Sequence, residues 1–562
     1  MSQEGIRRAR GELLQDPGPD GLITRGFLRG LGIGGETVRR RPVIGIANTW
    51  SELNPCNAGL RDLAEHVKRG VTASGGLALE FPTISLAEAF TRPSSMYLRN
   101  LLAMDTEEMI RATPIDGVVL LGGCDKTIPA QLMGALSAGK PALVLAAGPR
   151  PLSRWRGEDM TVERLWPLID ERRSGALDDE GWATLEACLS CGVGTCNVMG
   201  TAVTMAVIAE VLGMALPGSA LLPAASAQRG AMAERTGRAI VARTRADIAP
   251  EQVVTPSAVE NAFRAVCAVG GSTNTLLHLQ AIAGRLDIRL GDDRLRDISA
   301  STPLLADVLP SGRRFLHEFE ADGGVPALMH ELRDLADLDA LAGDDRPWRE
   351  ATALPPADAR CLHSVADPAG PSNSLSILAG NLAPAGAILK RSAADPALCH
   401  HIGRAVVFDG VEDLNSRIDD PDLDVDADSV LVLRGVGPIG GPGMPEVGHL
   451  PIPAKLLREG VTDMVRISDA RMSGTASGAV VLHIAPEAAV GGPLALVEQG
   501  DLIELDADHG SLTLLVAEAE LERRADALRL PEPDLRGYDR LYRDHVQQAD
   551  VGCDFDFLAG RR

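Results

Sequence analysis

Residues 186 to 200 read EACLSCGVGTCNVMG and place Cys188, Cys191 and Cys196 within nine positions. Thiolates bind zinc and iron–sulfur clusters. A closed zinc site needs a fourth ligand, yet no histidine or cysteine follows within the next twenty residues. The spacing C-x2-C-x4-C also reverses the plant-type ferredoxin order. The pattern therefore argues against a metal site formed by these cysteines alone, although a local zinc or cluster site stays open as the alternative.

Cys196 is the best candidate of the three. It lies just ahead of the apolar stretch NVMGTAVTMAVIAEVLGM, which predicts a buried core helix over Thr201 to Leu216. That stretch falls short of the roughly 20 residues needed to cross a bilayer. The N-terminus of a helix favours a thiolate, which is the form that binds iron. We interpret Cys188 and Cys191 as small buried hydrophobic residues.

Two other cysteines follow apolar runs that are typical of strands. Cys56 lies in IANTWSELNPCN and Cys124 in VVLLGGCDKT. Ligands of open α/β sheets bind at the carboxyl ends of strands, so these loops could converge in one crevice. Asp125 and Lys126 follow directly, and a hard oxygen ligand beside a soft sulfur ligand suggests two different metals in one pocket. The alternatives are purely structural cysteines and a Lys126 salt bridge to Asp125 or to a substrate carboxylate.

A glycine-rich loop in the second half of the chain resembles a dinucleotide fingerprint. GVGPIG at 435 to 440 matches G-x-G-x-x-G after the strand-like run DSVLVLR. Pro438, Pro442 and Pro445 exclude the helix that such a fingerprint must open. The loop GPIGGPGMPE instead delivers Glu446, either into a site or into solvent.

A second such loop, SDARMSGTASG at 468 to 478, follows the strand-like run TDMVRI. It is either a turn or a place where Ser473 is exposed as a nucleophile or base. No local histidine accompanies it in the manner of a triad. If Ser473 is catalytic, another feature must lower its pKa.

The elements that must position these residues fall into two parts. Residues 40 to 220 alternate apolar runs with amphipathic stretches, the βαβ rhythm of a parallel sheet. Helical segments continue over 255 to 340, and the acidic, proline-bearing stretch from Leu338 to Arg360 indicates a loop or linker. Seven β-rich runs then predict a barrel-like domain, before a terminal helix in DLRGYDRLYRDHVQQAD. The runs are GAILKR, GRAVVFDG, DSVLVLRG, TDMVRIS, GAVVLHIAP, DLIELDAD and SLTLLVAE. The predicted fold is thus α/β, with a parallel-sheet domain over 1–365 and a β-barrel-like domain over 366–562.

Composition limits the function classes. The 562 residues are 45% hydrophobic and only 3% aromatic, with 59 glycines, which is typical of a large α/β enzyme. A formal net charge of −22 repels nucleic acid and anionic lipid, so we expect neither as a partner. The polar start MSQEGIRRARGELLQD shows no secretory signal, and nine scattered cysteines favour a reducing compartment, so we expect a cytoplasmic protein.

Several of these segments together are similar to those of a known family. NPCN, LLGGCDKT, GTCNVMGTA, VGGSTNTLLHL, GGPGMPE and SDARMSGTASG, in this order, resemble the dihydroxy-acid and 6-phosphogluconate dehydratases, which are iron–sulfur hydro-lyases. The ending LYRDHVQQADVGCDFDFLAGR looks most like the sugar-acid branch, whose named activities include L-arabinonate and D-xylonate dehydratases. The segment between Gly148 and Glu186 is shorter and less familiar, which leaves its substrate contacts open.

The resemblance implies a set of site residues. Cys56, Cys124 and Cys196 would hold a [2Fe-2S] cluster, or alternatively a [4Fe-4S] cluster, with one iron open to substrate. Ser473 would be the base, assisted by Thr475. A magnesium ion would be held by Glu88 of ISLAEAFTRPSSM, Asp125, Glu446 and a carbamylated Lys126.

The implied reaction removes water from a polyhydroxy carboxylate, an aldonate, to give the 2-keto-3-deoxy acid. Magnesium would stabilise charge on the carboxylate and the C2 hydroxyl, while the open iron would take the departing C3 oxygen. The resemblance also implies a homodimer or homotetramer. Three alternatives stay open: a dihydroxy-acid dehydratase of branched-chain amino-acid synthesis, an iron–sulfur redox or sensor protein, and a structural zinc protein.

Overall fold

A four-stranded parallel sheet forms the first half of the protein, for which a computed structural model describes residues 12–530 and 533–560. The strand order is β2-β1-β3-β4. Every residue of β1, β3 and β4 is buried, as expected for a sheet covered on both faces. These three strands were predicted; the edge strand β2 was not, because its residues are only partly buried and form no continuous apolar run. The bounds are β1 Val43–Asn48, β2 Leu77–Pro82, β3 Gly117–Gly122 and β4 Ala142–Ala146.

Helices cover both faces of this sheet. Successive strand residues point to opposite faces, so Ile44 and Ile46 join one core while Val43 and Ala47 join another. The first core is closed by helices Leu60–Ala73 and Ala227–Arg245, the second by Arg99–Ala112 and Thr127–Ala138. Helices Pro19–Gly30 and Gly35–Arg40 precede the sheet.

The rest of the α/β part is helical, as predicted for residues 255 to 340. The predicted buried helix runs from Thr201 to Val211, shorter than expected at its C-terminal end, and all its residues are buried. No helix of the described residues is long and apolar enough to cross a membrane. The other helices are Pro250–Val253, Pro256–Ala268, Asn274–Gly284, Asp292–Ser301, Leu316–Ala321, Gly324–Glu331 and Trp348–Ala351.

The stretch from Leu338 to Arg360 is mostly loop, as predicted, but it is anchored to the α/β part rather than being a free linker. Trp348 within it is fully buried, and its indole N–H donates to the carbonyl of Val211 at 3.1 Å. Asp345 of the same segment also forms an ion pair with the buried Arg243 at 2.6 Å, so the segment is anchored at more than one point.

A small hairpin–helix segment, residues 153–188, lies in the sequence between the last strand of the sheet and the buried helix. It contains strands β5 (Ser153–Trp155) and β6 (Glu158–Met160), then helices Leu165–Ser174 and Asp179–Cys188. Its own apolar core consists of Trp155, Met160, Leu168, Leu177 and Leu185.

A closed eight-stranded barrel forms the second half, in the order β10-β14-β13-β12-β11-β15-β16-β9. All seven predicted runs contribute a strand, and the eighth, β9, was not predicted. The α/β fold class with a barrel-like second part is therefore confirmed. A strand pair, β7 (Pro303–Leu304) with β8 (Gly370–Ser372), precedes it. The barrel strands are β9 Ser376–Gly380, β10 Ala383–Leu389, β11 His400–Asp409, β12 Val430–Arg434, β13 Arg466–Ser468, β14 Val480–Leu482, β15 Leu502–Asp506 and β16 Ser511–Leu514.

The barrel shares a core with the α/β part. Leu389 and Val481 lie in the cluster inside the barrel, whereas their neighbours Ile388 and Val480 pack into the large core of the sheet and helices. Helices Gly410–Arg417, Ala454–Arg458, Glu518–Ala527 and the predicted terminal helix, Gly537–His545, complete this half. The division at residue 365 stays a prediction, and the polar start, residues 1–11, from which we expect no export signal, lies outside the described residues.

Candidate active site

The loops after β1 and β3 bring Cys56 and Cys124 together at the carboxyl edge of the sheet. Asn57 connects them: its amide donates to Thr49 Oγ1 at 2.8 Å, and its Oδ1 accepts from the backbone N–H of Cys124 at 3.0 Å. A Cβ at Gly123 would lie 3.0 Å from the carbonyl of Cys56. Glycine therefore permits the close approach of the two loops.

Cys196 reaches the same edge through a third loop. The neighbouring Thr195 bonds Gly148 and Arg150, just after β4, at 2.9 and 3.0 Å. The N–H of Gly194 donates to the carbonyl of Pro55 at 3.3 Å, beside Cys56. Three thiols that lie far apart in the sequence thus come from three neighbouring loops.

The thiols differ in their protonation. A hydrogen bond between Cys56 and Cys124 lowers the pKa of Cys56 and raises that of Cys124. Burial raises the pKa of Cys196 to about 12. The helix start therefore does not lower the pKa of the half-buried Cys196, contrary to our expectation, because desolvation raises it and the helix begins only at Thr201.

Cys188 and Cys191 are not the buried hydrophobic residues that we predicted. Cys188 is half-buried at the end of its helix, and Cys191 is exposed. The chain turns along the surface between that helix and Thr195, so this stretch contributes one thiol, Cys196, to the convergent group.

A group of carboxylates lies beside the thiols. One oxygen each from Glu88, Asp125 and Glu446 lies within 4.8 Å of the others. Glu88 comes from the loop after β2, Asp125 follows Cys124, and Glu446 is delivered by the glycine-rich loop after β12. That loop forms turns with no helix in residues 435–450, as the prolines predicted. Such an oxygen set suits magnesium.

Arg471, which the sequence analysis did not single out, connects the carboxylates across the two halves of the protein. It is fully buried, donates to both oxygens of Glu88 at 3.1 Å and also bonds Glu446. Burial opposes ionisation of Glu88, but the charges of Arg471 and Lys126 lower its pKa to about 2. Burial raises the pKa of Glu446. The sequence signal that could have identified Arg471 is that it is the only basic residue in the loop SDARMSG.

Lys126 is fully buried in the same group. Its ammonium lies 2.5 Å from Asp125 and 3.6 Å from both Glu88 and Glu446. Burial and Arg471 oppose its charge, but the three carboxylates raise its pKa. The salt bridge to Asp125 that the sequence left open is present in this structure.

The serine loop lies against the start of the helix Thr201–Val211. A Cβ at Gly474 would lie 2.7 Å from the backbone N of Thr201. Ser473 and Thr475 share a hydrogen bond of 2.9 Å between their hydroxyls. Ser473 is half-buried and Thr475 buried. The loop therefore places two hydroxyls close to the start of this helix, within four positions of Arg471.

Two further residues support this arrangement and were not anticipated. Asn274, in the GGSTN stretch, donates to Thr201 Oγ1 at 3.1 Å, to Met472 O at 3.0 Å and to Glu446 at 3.4 Å. Trp166 of the hairpin–helix segment donates its indole N–H to Thr475 Oγ1 at 2.9 Å. An asparagine that links three segments this way fixes the carboxylate loop relative to the serine loop.

Comparison with protein families gives two matches that together span most of the chain. The N-terminal model of the dihydroxy-acid/6-phosphogluconate dehydratases matches residues 41–351, and the C-terminal model matches residues 360–553.

Individual relatives align along nearly their whole length. An L-arabonate dehydratase of Azospirillum brasilense is 47% identical, covering 97% of this chain and 95% of that protein. A 6-deoxy-6-sulfo-D-gluconate dehydratase of Pseudomonas putida is 46% identical, covering 94% and 93%. An L-arabinonate dehydratase of Rhizobium leguminosarum is 45% identical, covering 97% and 95%.

Proposed function

Because the chain belongs to the dihydroxy-acid/6-phosphogluconate dehydratase family, and is therefore a hydro-lyase, we propose that it dehydrates a sugar acid, an aldonate such as L-arabinonate or D-xylonate, to the 2-keto-3-deoxy acid. The observation that carries this proposal is the 45 to 47% identity to three dehydratases named for sugar acids. We further propose a homodimer or homotetramer in the cytoplasm.

The thiol group suits an iron–sulfur cluster. Cys56, Cys124 and Cys196 are soft donors from three loops, and the glycine at position 123 lets two of those loops touch. Cys188 and Cys191 lie outside the group, so among the described residues it has three thiols and no fourth. Electron-transfer clusters commonly have four cysteine ligands, so a three-thiol set favours a cluster that binds substrate. We propose [2Fe-2S], with [4Fe-4S] as the alternative.

The oxygen group suits magnesium. Glu88, Asp125 and Glu446 offer hard oxygen donors close enough to share one ion. Lys126 would join them as a carbamate, because the ammonium would otherwise repel the metal.

Carbon-13 NMR of the magnesium-loaded protein in labelled bicarbonate tests the carbamate. A carbamate signal that is absent in Lys126→Met supports Lys126 as a carbamylated ligand, and the absence of any such signal in the wild type contradicts it.

When bound, the two metals supply Lewis acidity at the substrate carboxylate and at the leaving hydroxyl. The chain provides the remaining groups. Ser473 accepts the C2 proton on Oγ, and Thr475 holds that oxygen through its 2.9 Å hydrogen bond. Arg471 bonds both Glu88 and Glu446, and its positive charge favours the ionised form of each carboxyl group.

The test is a 2-keto acid assay on the reconstituted protein. L-arabinonate, D-xylonate, 6-deoxy-6-sulfo-D-gluconate and 2,3-dihydroxyisovalerate are compared by kcat/KM. Turnover of one or more sugar acids is expected. Activity on 2,3-dihydroxyisovalerate alone would instead assign the branched-chain alternative, and Ser473→Ala should abolish turnover of the best substrate while leaving cluster absorbance intact.

A further inference from the structure

Trp166 contacts the proposed base system from outside the two metal groups. It is the second residue of the helix Leu165–Ser174, and its half-buried indole donates to Thr475 Oγ1 at 2.9 Å. The His449 ring packs against the indole with centroids 5.2 Å apart. Burial lowers the pKa of His449 to about 3, so this neighbouring ring is uncharged at neutral pH.

The indole N–H can only donate a hydrogen bond, so the Thr475 hydroxyl accepts this bond through a lone pair. A hydroxyl has one proton and two lone pairs. The indole occupies one lone pair of Thr475 Oγ1, and Ser473 Oγ lies 2.9 Å from the same oxygen. The proton of Thr475 is then available to Ser473, whose Oγ also lies 3.4 Å from the backbone N–H of Thr475.

We propose that Trp166 is a positioning residue for the base: its indole N–H orients Thr475 so that the threonine hydroxyl donates to Ser473 Oγ when that oxygen is deprotonated. This inference rests on the proposed function. The Ser473 alkoxide accepts the C2 proton, and the electron pair of the broken C–H bond stays on the substrate carbon. Two donors aimed at Oγ stabilise the alkoxide, and a donor to Thr475 strengthens the threonine bond by polarising it.

Thr475 lies close to the helix start on its methyl side. A Cβ at Gly200 would lie 3.0 Å from the Thr475 methyl, so glycine leaves the room that the methyl occupies. The hydroxyl orientation is set by the two hydrogen bonds to the indole and to Ser473. The less familiar segment after Gly148 therefore contributes to the base system through a single aromatic side chain.

Trp166→Phe removes the N–H and keeps an aromatic ring. Loss of one hydrogen bond to the base system should lower kcat by about tenfold. KM should stay unchanged, because the indole acts through Thr475. The matched control is Trp155→Phe, which removes an equivalent 3.1 Å indole bond to Thr184 within the same segment. An unchanged kcat in Trp166→Phe, or an equal loss in Trp155→Phe, overturns the proposal. The assay uses whichever dihydroxy acid the wild type turns over best.

A spectroscopic measurement on the metal-free protein tests the contact without activity. The chain has five tryptophans, so nitrogen-15 labelling gives few indole signals, and the one missing in Trp166→Phe is assigned to Trp166. Thr475→Val should shift this signal upfield, while Thr475→Ser should retain its position. An unmoved signal in Thr475→Val overturns the inference. A wild type inactive on every acid, with the shift present, would overturn the proposed function but not the contact.

Discussion

The thiol side and the carboxylate side of the site are built by different forces. Cys56, Cys124 and Cys196 are positioned by backbone and amide hydrogen bonds within the α/β part, with Asn57 as the central link. The carboxylates are positioned by ion pairs that span both halves, through Arg471 on the barrel side.

This difference determines what each side of the site needs in order to assemble. The thiol side needs only correct loops, and burial raises the pKa of Cys196, which penalises its thiolate until a metal binds. The carboxylate side contains its own buried cations: Arg471 pairs with Glu88 and Glu446, and the Lys126 ammonium lies 3.6 Å from Glu88. Metal binding would therefore favour ionisation of Cys196, whereas the carboxylate side depends on Arg471 of the barrel half.

Cys124→Ser should have the largest effect. It removes a central ligand of the thiol side, so the cluster absorbance and all dehydratase activity should be lost, while the fold persists because serine is close in size. Iron content, the visible spectrum and circular dichroism measure the outcome. Cys267→Ser, at a buried cysteine outside the site, should keep both cluster and activity. A wild-type iron content in Cys124→Ser would remove Cys124 from the ligand set.

Arg471→Leu should break the carboxylate side and leave the thiol side assembled. Removing one partner of a buried ion pair leaves uncompensated charge, which typically costs about 3 to 5 kcal/mol of unfolding free energy. Denaturant unfolding and the visible spectrum are measured together. Arg471→Lys keeps the positive charge but loses the forked guanidinium that reaches both glutamates. Its unfolding free energy should therefore lie between those of the wild type and Arg471→Leu. Loss of the cluster with an unchanged unfolding free energy would show instead that Arg471 supports the thiol side and not the carboxylate side.

The sequence predicted the parts of this site that come from local pattern. Apolar runs located β1, β3, β4 and seven barrel strands, and proline positions excluded a helix after the glycine loop. The edge strand β2 and the strand β9 were not predicted, since partial burial gives β2 no continuous apolar run.

The residues that were not anticipated act through contacts that no local pattern encodes. Arg471 reaches Glu88 across 383 positions, and Trp166 reaches Thr475 across 309. Burial also reversed the expectation for Cys196: proximity to a helix start was visible in the sequence, whereas the desolvation that raises its pKa was not. The proposed ligand roles of the three thiols and the carboxylates came from resemblance and stay predictions, although the structure brings these groups together.

Alkylation of the metal-free protein should separate the cysteines by rate without disturbing the fold. With its pKa raised to about 12 from 9.0, Cys196 should react roughly a thousandfold more slowly at pH 8 than an unperturbed thiol. Cys191 is exposed and should be modified first. Mass spectrometry after timed iodoacetamide treatment gives each rate. Fast modification of Cys196 would mean that the helix start outweighs burial after all.

The smallest effect is expected for the double change Cys188→Ser and Cys191→Ser. Both thiols lie within eight positions of Cys196, but Cys191 is exposed, with its Sγ 3.2 Å from the carbonyl of Leu152, and Cys188 is half-buried at a helix end. Surface substitutions of this kind usually change stability by less than about 0.5 kcal/mol. Iron content, activity and unfolding free energy should all match the wild type. Because these cysteines share a local stretch with Cys196 but lie outside the group of converging thiols, a fall in iron content would show that the thiol side is a local cysteine box rather than three loops meeting at a sheet edge.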